Sequence, residues 1–196
     1  MTRFLLCLLL LIPALARAEG VALPPGMALD VLKLSRAGLI EEGTRLILGY
    51  GSQDAISAAG LELAIGHERA TRRAAQAEQV LAADLNGDGA VTRAEMAVHA
   101  GTLSVRMRAR ALAGFAAADG DGDGRAELPE IMAAAQAYAL ERFDEAAAER
   151  VRALMYCDAD RDGLVTLAEL RAAGDYLAAR AEAQKLTPAG QMERDL

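Results

Sequence analysis

Three twelve-residue stretches constrain this chain more than anything else in it. The first runs Asp84-Leu85-Asn86-Gly87-Asp88-Gly89-Ala90-Val91-Thr92-Arg93-Ala94-Glu95. The same skeleton returns at 119–130 and 158–169. In each copy, side-chain oxygens stand at positions 1, 3, 5 and 12, and glycine stands at position 6. One such match is expected by chance in about one chain in a thousand of this length, so three copies are not accidental. Their starts lie 35 and then 39 residues apart.

Alternate positions of a tight turn aim three side chains at one point. A hard cation such as Ca2+ takes about six to eight oxygens at roughly 2.3–2.6 Å. Asp84, Asn86 and Asp88 offer three in the first loop, Asp119, Asp121 and Asp123 in the second, Asp158, Asp160 and Asp162 in the third. Position 7 contributes its backbone carbonyl, so Ala90, Arg125 and Leu164 all serve there. Position 9 acts through water and holds Thr92, Glu127 and Thr166. The closing glutamates, Glu95, Glu130 and Glu169, fall on the first turn of a following helix and can give both oxygens. Glycine at position 6 permits a bend that a side chain would oppose.

These residues, each preceded by a helical stretch, resemble the EF-hand family, and the likeness covers about 68–185. It implies an all-α array of helix–loop–helix units, with Ca2+ at three sites, similar to the calmodulin-like architecture in an exported bacterial form. Dockerin repeats share the D-x-N-x-D-G-x-V start. They usually end on Asp and lack the entering helix, whereas Glu ends every loop here.

Stepping back 35 residues from Asp84 lands on Gly49. In that register Ile56 takes position 8 and Ser57 position 9, but positions 1, 3, 5 and 12 hold Gly49, Gly51, Gln53 and Gly60. Residues 49–60 read either as a lapsed EF-hand that keeps its shape without metal or as an ordinary linker. A β-branched residue at position 8 pairs with its neighbour from a second loop. Pairing Ile56 with Val91 and Ala126 with Val165 gives each pair such a member. This sets the expected organisation: a first hand pair at 30–100, with the lapsed loop 49–60 and the loop 84–95, and a second at 101–186. Helices are expected at about 31–48, 57–66, 68–83, 93–100, 103–118, 131–142, 144–157 and 167–185. Asp30 and Asp144 are candidate caps, and Gly66 and Gly101 candidate breaks.

The ends read differently. Arg3, the apolar run Phe4 to Ile12 and Ala16-Arg17-Ala18 form a secretory signal pattern over 1–18. The apolar stretch is too short for a comfortable membrane span. Residues 19–29 read as an extended lead-in, and 187–196 as a tail. Cleavage after Ala18 removes two arginines and no acid, moving the net charge from −7 to −9. Cys7 leaves with the signal, so Cys157 has no partner for an intramolecular disulfide. The periplasm or the exterior is the expected location, with no stable membrane insertion after cleavage.

Twelve of the 28 acids lie in the three loops. Their mutual repulsion without metal makes bound ions the expected staple of the fold. The clusters Arg69 to Arg73 and Arg106 to Arg110 read as solvated helix faces in an acidic chain, so no nucleic-acid partner is expected. His67 and His99 lack a ligand-spaced partner. The expected function is Ca2+ binding by a non-enzymatic buffer or Ca2+-stabilised module. The alternative is a sensor that opens a groove lined by Met96, Met107, Met132 and Met155 to bind a protein partner of unknown identity.

Overall fold

The computed structural model describes residues 34–186. The signal pattern at 1–18, the lead-in at 19–29, the candidate cap Asp30 and the tail at 187–196 lie outside the described residues.

The described chain is an all-α EF-hand array with four three-residue strands. Ser35 caps α1 (Arg36–Tyr50), its hydroxyl accepting from the Gly38 N–H at 3.2 Å. Then follow β1 (Ala55–Ser57), α2 (Ala58–Leu81), β2 (Ala90–Thr92), α3 (Arg93–Gly101) and α4 (Val105–Ala118). The chain continues through β3 (Arg125–Glu127), α5 (Leu128–Arg142) and α6 (Glu145–Arg152), a 3-10 turn over Ala153–Cys157, β4 (Leu164–Thr166) and α7 (Leu167–Leu186). Asp144 caps α6, its carboxylate accepting from the Ala147 N–H. Pro129 is tolerated in the first turn of α5, where its missing N–H would have no partner in any case.

Every strand occupies positions 7 to 9 of a loop, the lapsed one included. The step back of 35 residues therefore identifies a true loop register: Ile56 stands where Val91, Ala126 and Val165 stand. The partners differ from the sequential pairing that the sequence suggested. Ile56 lies opposite Val165, not Val91, and Val91 lies opposite Ala126. The first hand pairs with the fourth and the second with the third, so the pairs are nested rather than consecutive.

The reason is α2. Two helices were expected, broken at Gly66. Instead one helix of 24 residues runs from the loop 49–60 to the loop 84–95. At 1.5 Å per residue it holds its ends about 36 Å apart. Loops at opposite ends of such a rod cannot come within the roughly 5 Å that a β-bridge needs. Gly66 is exposed and no proline follows it, so the helix accepts the local cost of glycine. Between the loops 84–95 and 119–130 the chain does break, at Thr102 to Ser104 after the nine-residue α3, and those loops pair.

Nesting gives two cores. One gathers Leu39, Leu46 and Ile47 of α1 with Ile56, Leu61, Leu154, Val165 and Leu170. The other gathers Val80, Val91, Met96, Phe115, Ala126 and Ile131. Helix α2 contributes to both. Helix α5 lies antiparallel beside it: Arg69 donates to the Phe143 carbonyl, and Arg73 to Gln136, one α-helical stretch further along. The Arg69 and Arg72 guanidiniums sit 5.9 and 5.8 Å from the Phe143 ring centre. Arg152 ties α6 to α2 through Glu62 and also pairs with Glu145 and Glu149 of its own helix.

Candidate metal centre

The residue four before each acidic loop is Val80, Phe115 or Leu154, and the one immediately before is Ala83, Ala118 or Cys157. All six are buried. One apolar helical face thus anchors the start of each loop, leaving the position-1 acid half-buried and the side chains at positions 3 and 5 exposed. Cys157 belongs to this face. Burial, with the Glu169 charge nearby, pushes its thiol up to about 12, so it is an unreactive core residue.

The carboxylates organise the loop backbones. In the loop 84–95, Asp84 accepts from the N–H groups of Gly87 and Gly89 at 2.8 and 2.9 Å. Asn86 accepts from Asp88 N–H, and Asp88 from Ala90 N–H, both at 2.9 Å. The same ladder returns in 119–130: Asp119 accepts from Gly124 N–H, Asp121 from Asp123 N–H and Asp123 from Arg125 N–H. In 158–169, Asp158 accepts from Gly163 N–H, Asp160 from Asp162 N–H and Asp162 from Leu164 N–H.

The position-12 glutamates are held by position 9. The Glu95 carboxylate accepts from the Thr92 N–H and hydroxyl at 2.9 and 2.7 Å, while Thr92 accepts from Glu95 N–H. Thr166 and Glu169 repeat this box, and Glu130 accepts from Glu127 N–H at 3.0 Å. Position 9 is therefore the cap of the exiting helix as well as a loop residue. The lapsed loop keeps that half of the device: Ser57 caps α2 by accepting from Gly60 N–H.

For Asp88, Glu95 and Glu169 these bonds favour the ionised form. The Ala90 N–H holds Asp88 below the usual carboxylate range, with Asn86 and Arg125 assisting, and the Thr92 N–H and hydroxyl do the same for Glu95. Burial alone pushes Glu169 up. The N–H groups of Thr166, Ala159 and Asp160, with the Thr166 hydroxyl, together outweigh burial and leave it below that range.

Ligand oxygens of Asp119, Asp121 and Asp123 lie within 4.8 Å of one another, as do those of Asp158, Asp160 and Asp162. Asp158 Oδ1 is buried without a hydrogen-bond partner. A buried anionic oxygen left unpaired is costly, and a cation satisfies it. An all-oxygen donor set of this kind suits a hard cation rather than a soft one. The residues present thus fit Ca2+. In the loop 84–95, Asn86 stands where the other two loops have a carboxylate.

The lapsed loop is built otherwise. Helix α1 runs on to Tyr50, over its first two positions. Ser52 and Ala55 then close a two-residue turn by reciprocal backbone bonds of 2.9 and 3.1 Å, with Gln53 and Asp54 at φ 52° and 60°. Backbone closes on backbone where the other loops present oxygens.

Two features are not visible in the loop pattern alone. Position 4 is left-handed in all three acidic loops: Gly87 at φ 74°, Gly122 at 77° and Arg161 at 64°. The repeated Gly87 and Gly122 were the available signal. The second feature is a pair of arginines. Arg125 reaches Asp88 at 3.3 Å, and Arg93 lies 3.6 Å from Asp119.

A family model described as EF hand matches residues 81–97, which span the end of α2, the whole first acidic loop and the start of α3. No curated protein and no solved structure matches the chain.

Proposed function

We propose that this chain is a non-enzymatic calcium-binding protein that carries three ions, one in each acidic loop, and uses them as staples. The observation that carries the reading is the convergence of three aspartates within 4.8 Å in each of two loops, beside a loop matched by the EF-hand family. Asp84, Asn86, Asp88 and Glu95 would hold one ion, Asp119, Asp121, Asp123 and Glu130 the second, and Asp158, Asp160, Asp162 and Glu169 the third. The backbone carbonyls of Ala90, Arg125 and Leu164 add one ligand each, and Thr92, Glu127 and Thr166 act through water. A bound ion supplies the positive charge that offsets the clustered acids and ties each loop to its exiting helix.

Export to the periplasm or exterior is part of this proposal and rests on the signal pattern at 1–18. Calcium affinities of about 10⁻⁴–10⁻³ M suffice in such compartments. A static module is favoured over a sensor because α2 supplies side chains to both cores, so opening one hand pair strains the other. The sensor reading draws support from Met107 and Met132, 43% and 40% exposed, but Met96 is buried.

Titration calorimetry of the mature protein tests the count: three calcium ions per chain are expected, and any other number refutes it. A hydrophobic dye separates the roles. Unchanged fluorescence on adding calcium supports the static module, and enhancement supports the sensor. N-terminal sequencing of protein recovered outside the cytoplasm is expected to begin at Glu19.

A further inference from the structure

The central pair of loops carries its own cations. Arg93 belongs to the loop 84–95, yet its guanidinium lies 3.6 Å from Oδ2 of Asp119, position 1 of the other loop. Arg125 belongs to the loop 119–130, yet it donates to Oδ2 of Asp88, position 5 of the first, at 3.3 Å. Each arginine thus crosses the β2–β3 bridge to a ligand carboxylate of its neighbour. The bridge sets this up: Thr92 lies opposite Arg125, and Arg93 N–H donates to the Gly124 carbonyl at 2.9 Å. The carboxylate of Asp119 is nearly buried at 6% exposure, while the Arg93 side chain that faces it is 73% exposed, so solvent screens the pair from one side only.

The loop 158–169, the fourth in chain order once 49–60 is counted, differs. Its arginine, Arg161, is exposed at position 4, and among the described residues no ion pair engages Asp158, Asp160 or Asp162. Asp158 Oδ1 there is buried and unpaired. Each loop contains one arginine, against three, five and four acids in chain order, so charge counting alone favours 119–130. The direction in which the arginine reaches separates 158–169 from the other two.

We propose that Arg93 and Arg125 are built-in counter-ions of the central pair, which calcium must displace from Asp119 and Asp88, so that the fourth loop fills first. This rests on the calcium reading above. The arginines steady the metal-free pair and weaken its calcium affinity for the same reason: they hold positive charge where the ion's charge must go.

The test combines calorimetry with calcium chloride and thermal unfolding in chelator, on the mature wild type and on R93Q/R125Q. Wild type is expected to show one tighter and two weaker events, the tighter one lost in E169Q. In R93Q/R125Q the two weaker events tighten by about tenfold. The tighter event stays unchanged, and the melting point in chelator falls by about 2–4 °C. The charge-keeping R93K/R125K stays near wild type in both readouts and guards against misfolding as the cause. Unchanged or weaker affinity of the central pair in R93Q/R125Q overturns the proposal, as does loss of a weaker event in E169Q. Wild type that takes up no calcium overturns the calcium reading and the proposal together. Uptake with no change in the arginine variant overturns only the proposal.

Discussion

The two hand pairs share one bridge and differ in almost everything around it. At the centre of each bridge, position 8 meets position 8: Ile56 with Val165, and Val91 with Ala126, all four buried. Yet one pair joins two acidic loops, whereas the other joins an acidic loop to one with no ligand. The pairing therefore does not require acids in both loops. What it needs is an extended three-residue strand, a buried side chain at its middle and a helix cap at its end. Ser57 provides the cap in the lapsed hand as Thr92 does in its neighbour. The difference also shows what replaces a ligand shell. The lapsed loop shortens its exposed arc by extending α1 and closing the turn at Gln53 and Asp54.

Calcium itself is expected to separate the pairs most. At a free concentration one hundredfold above its Kd, each filled loop adds about 2.7 kcal/mol to stability. Thermal unfolding in calcium and in chelator should differ accordingly, and identical curves would break the comparison at its root. Next comes packing. Ile56 is fully buried in the pair that has only one acidic loop, so Ile56→Ala should cost about 2–5 kcal/mol in calcium and in chelator alike, read by denaturant unfolding. A loss confined to chelator would mean that calcium in the fourth loop compensates for the lapsed one.

A smaller effect is expected at position 4. Arg161 carries a left-handed backbone where Gly87 and Gly122 serve the other two acidic loops. Arg161→Gly should raise chelator-state stability by about 0.5–1 kcal/mol, the relieved strain exceeding the added freedom of the unfolded chain. A gain of similar size is expected in the helix between the pairs. An added Cβ at Gly66 meets nothing within 4 Å, so Gly66→Ala should stabilise α2 by about 0.5–1 kcal/mol without altering calcium uptake. A loss of stability there would show that α2 needs its glycine.

Much of this was legible residue by residue. Asp, Asn and Glu at fixed positions, glycine at the bend, the buried face running through Val80, Phe115 and Leu154, and the α6 cap at Asp144 are local features, set within one or two turns of chain. The lapsed register was readable too, because Ile56 and Ser57 keep positions 8 and 9 after the ligands are gone. Helix ends were less so. Gly66 resembles a break, and the α5 start at Leu128 lies before the expected Ile131 because Pro129 fits a first turn.

The sequence by itself determined the chemistry of each loop, since the ligand spacing, the caps and the strand residues all act over a dozen positions. Which loop faces which was decided only in the tertiary structure. It turns on whether α2 continues through Gly66, a choice between a helix cost of about 1 kcal/mol and the packing of one rod into two cores at once. Once α2 is unbroken, its length of about 36 Å forbids the sequential pairing and leaves the nested one. The same choice brings Arg93 and Arg125 across a shared bridge onto each other's loops, a meeting that depends on which strands pair and that no spacing within either loop encodes.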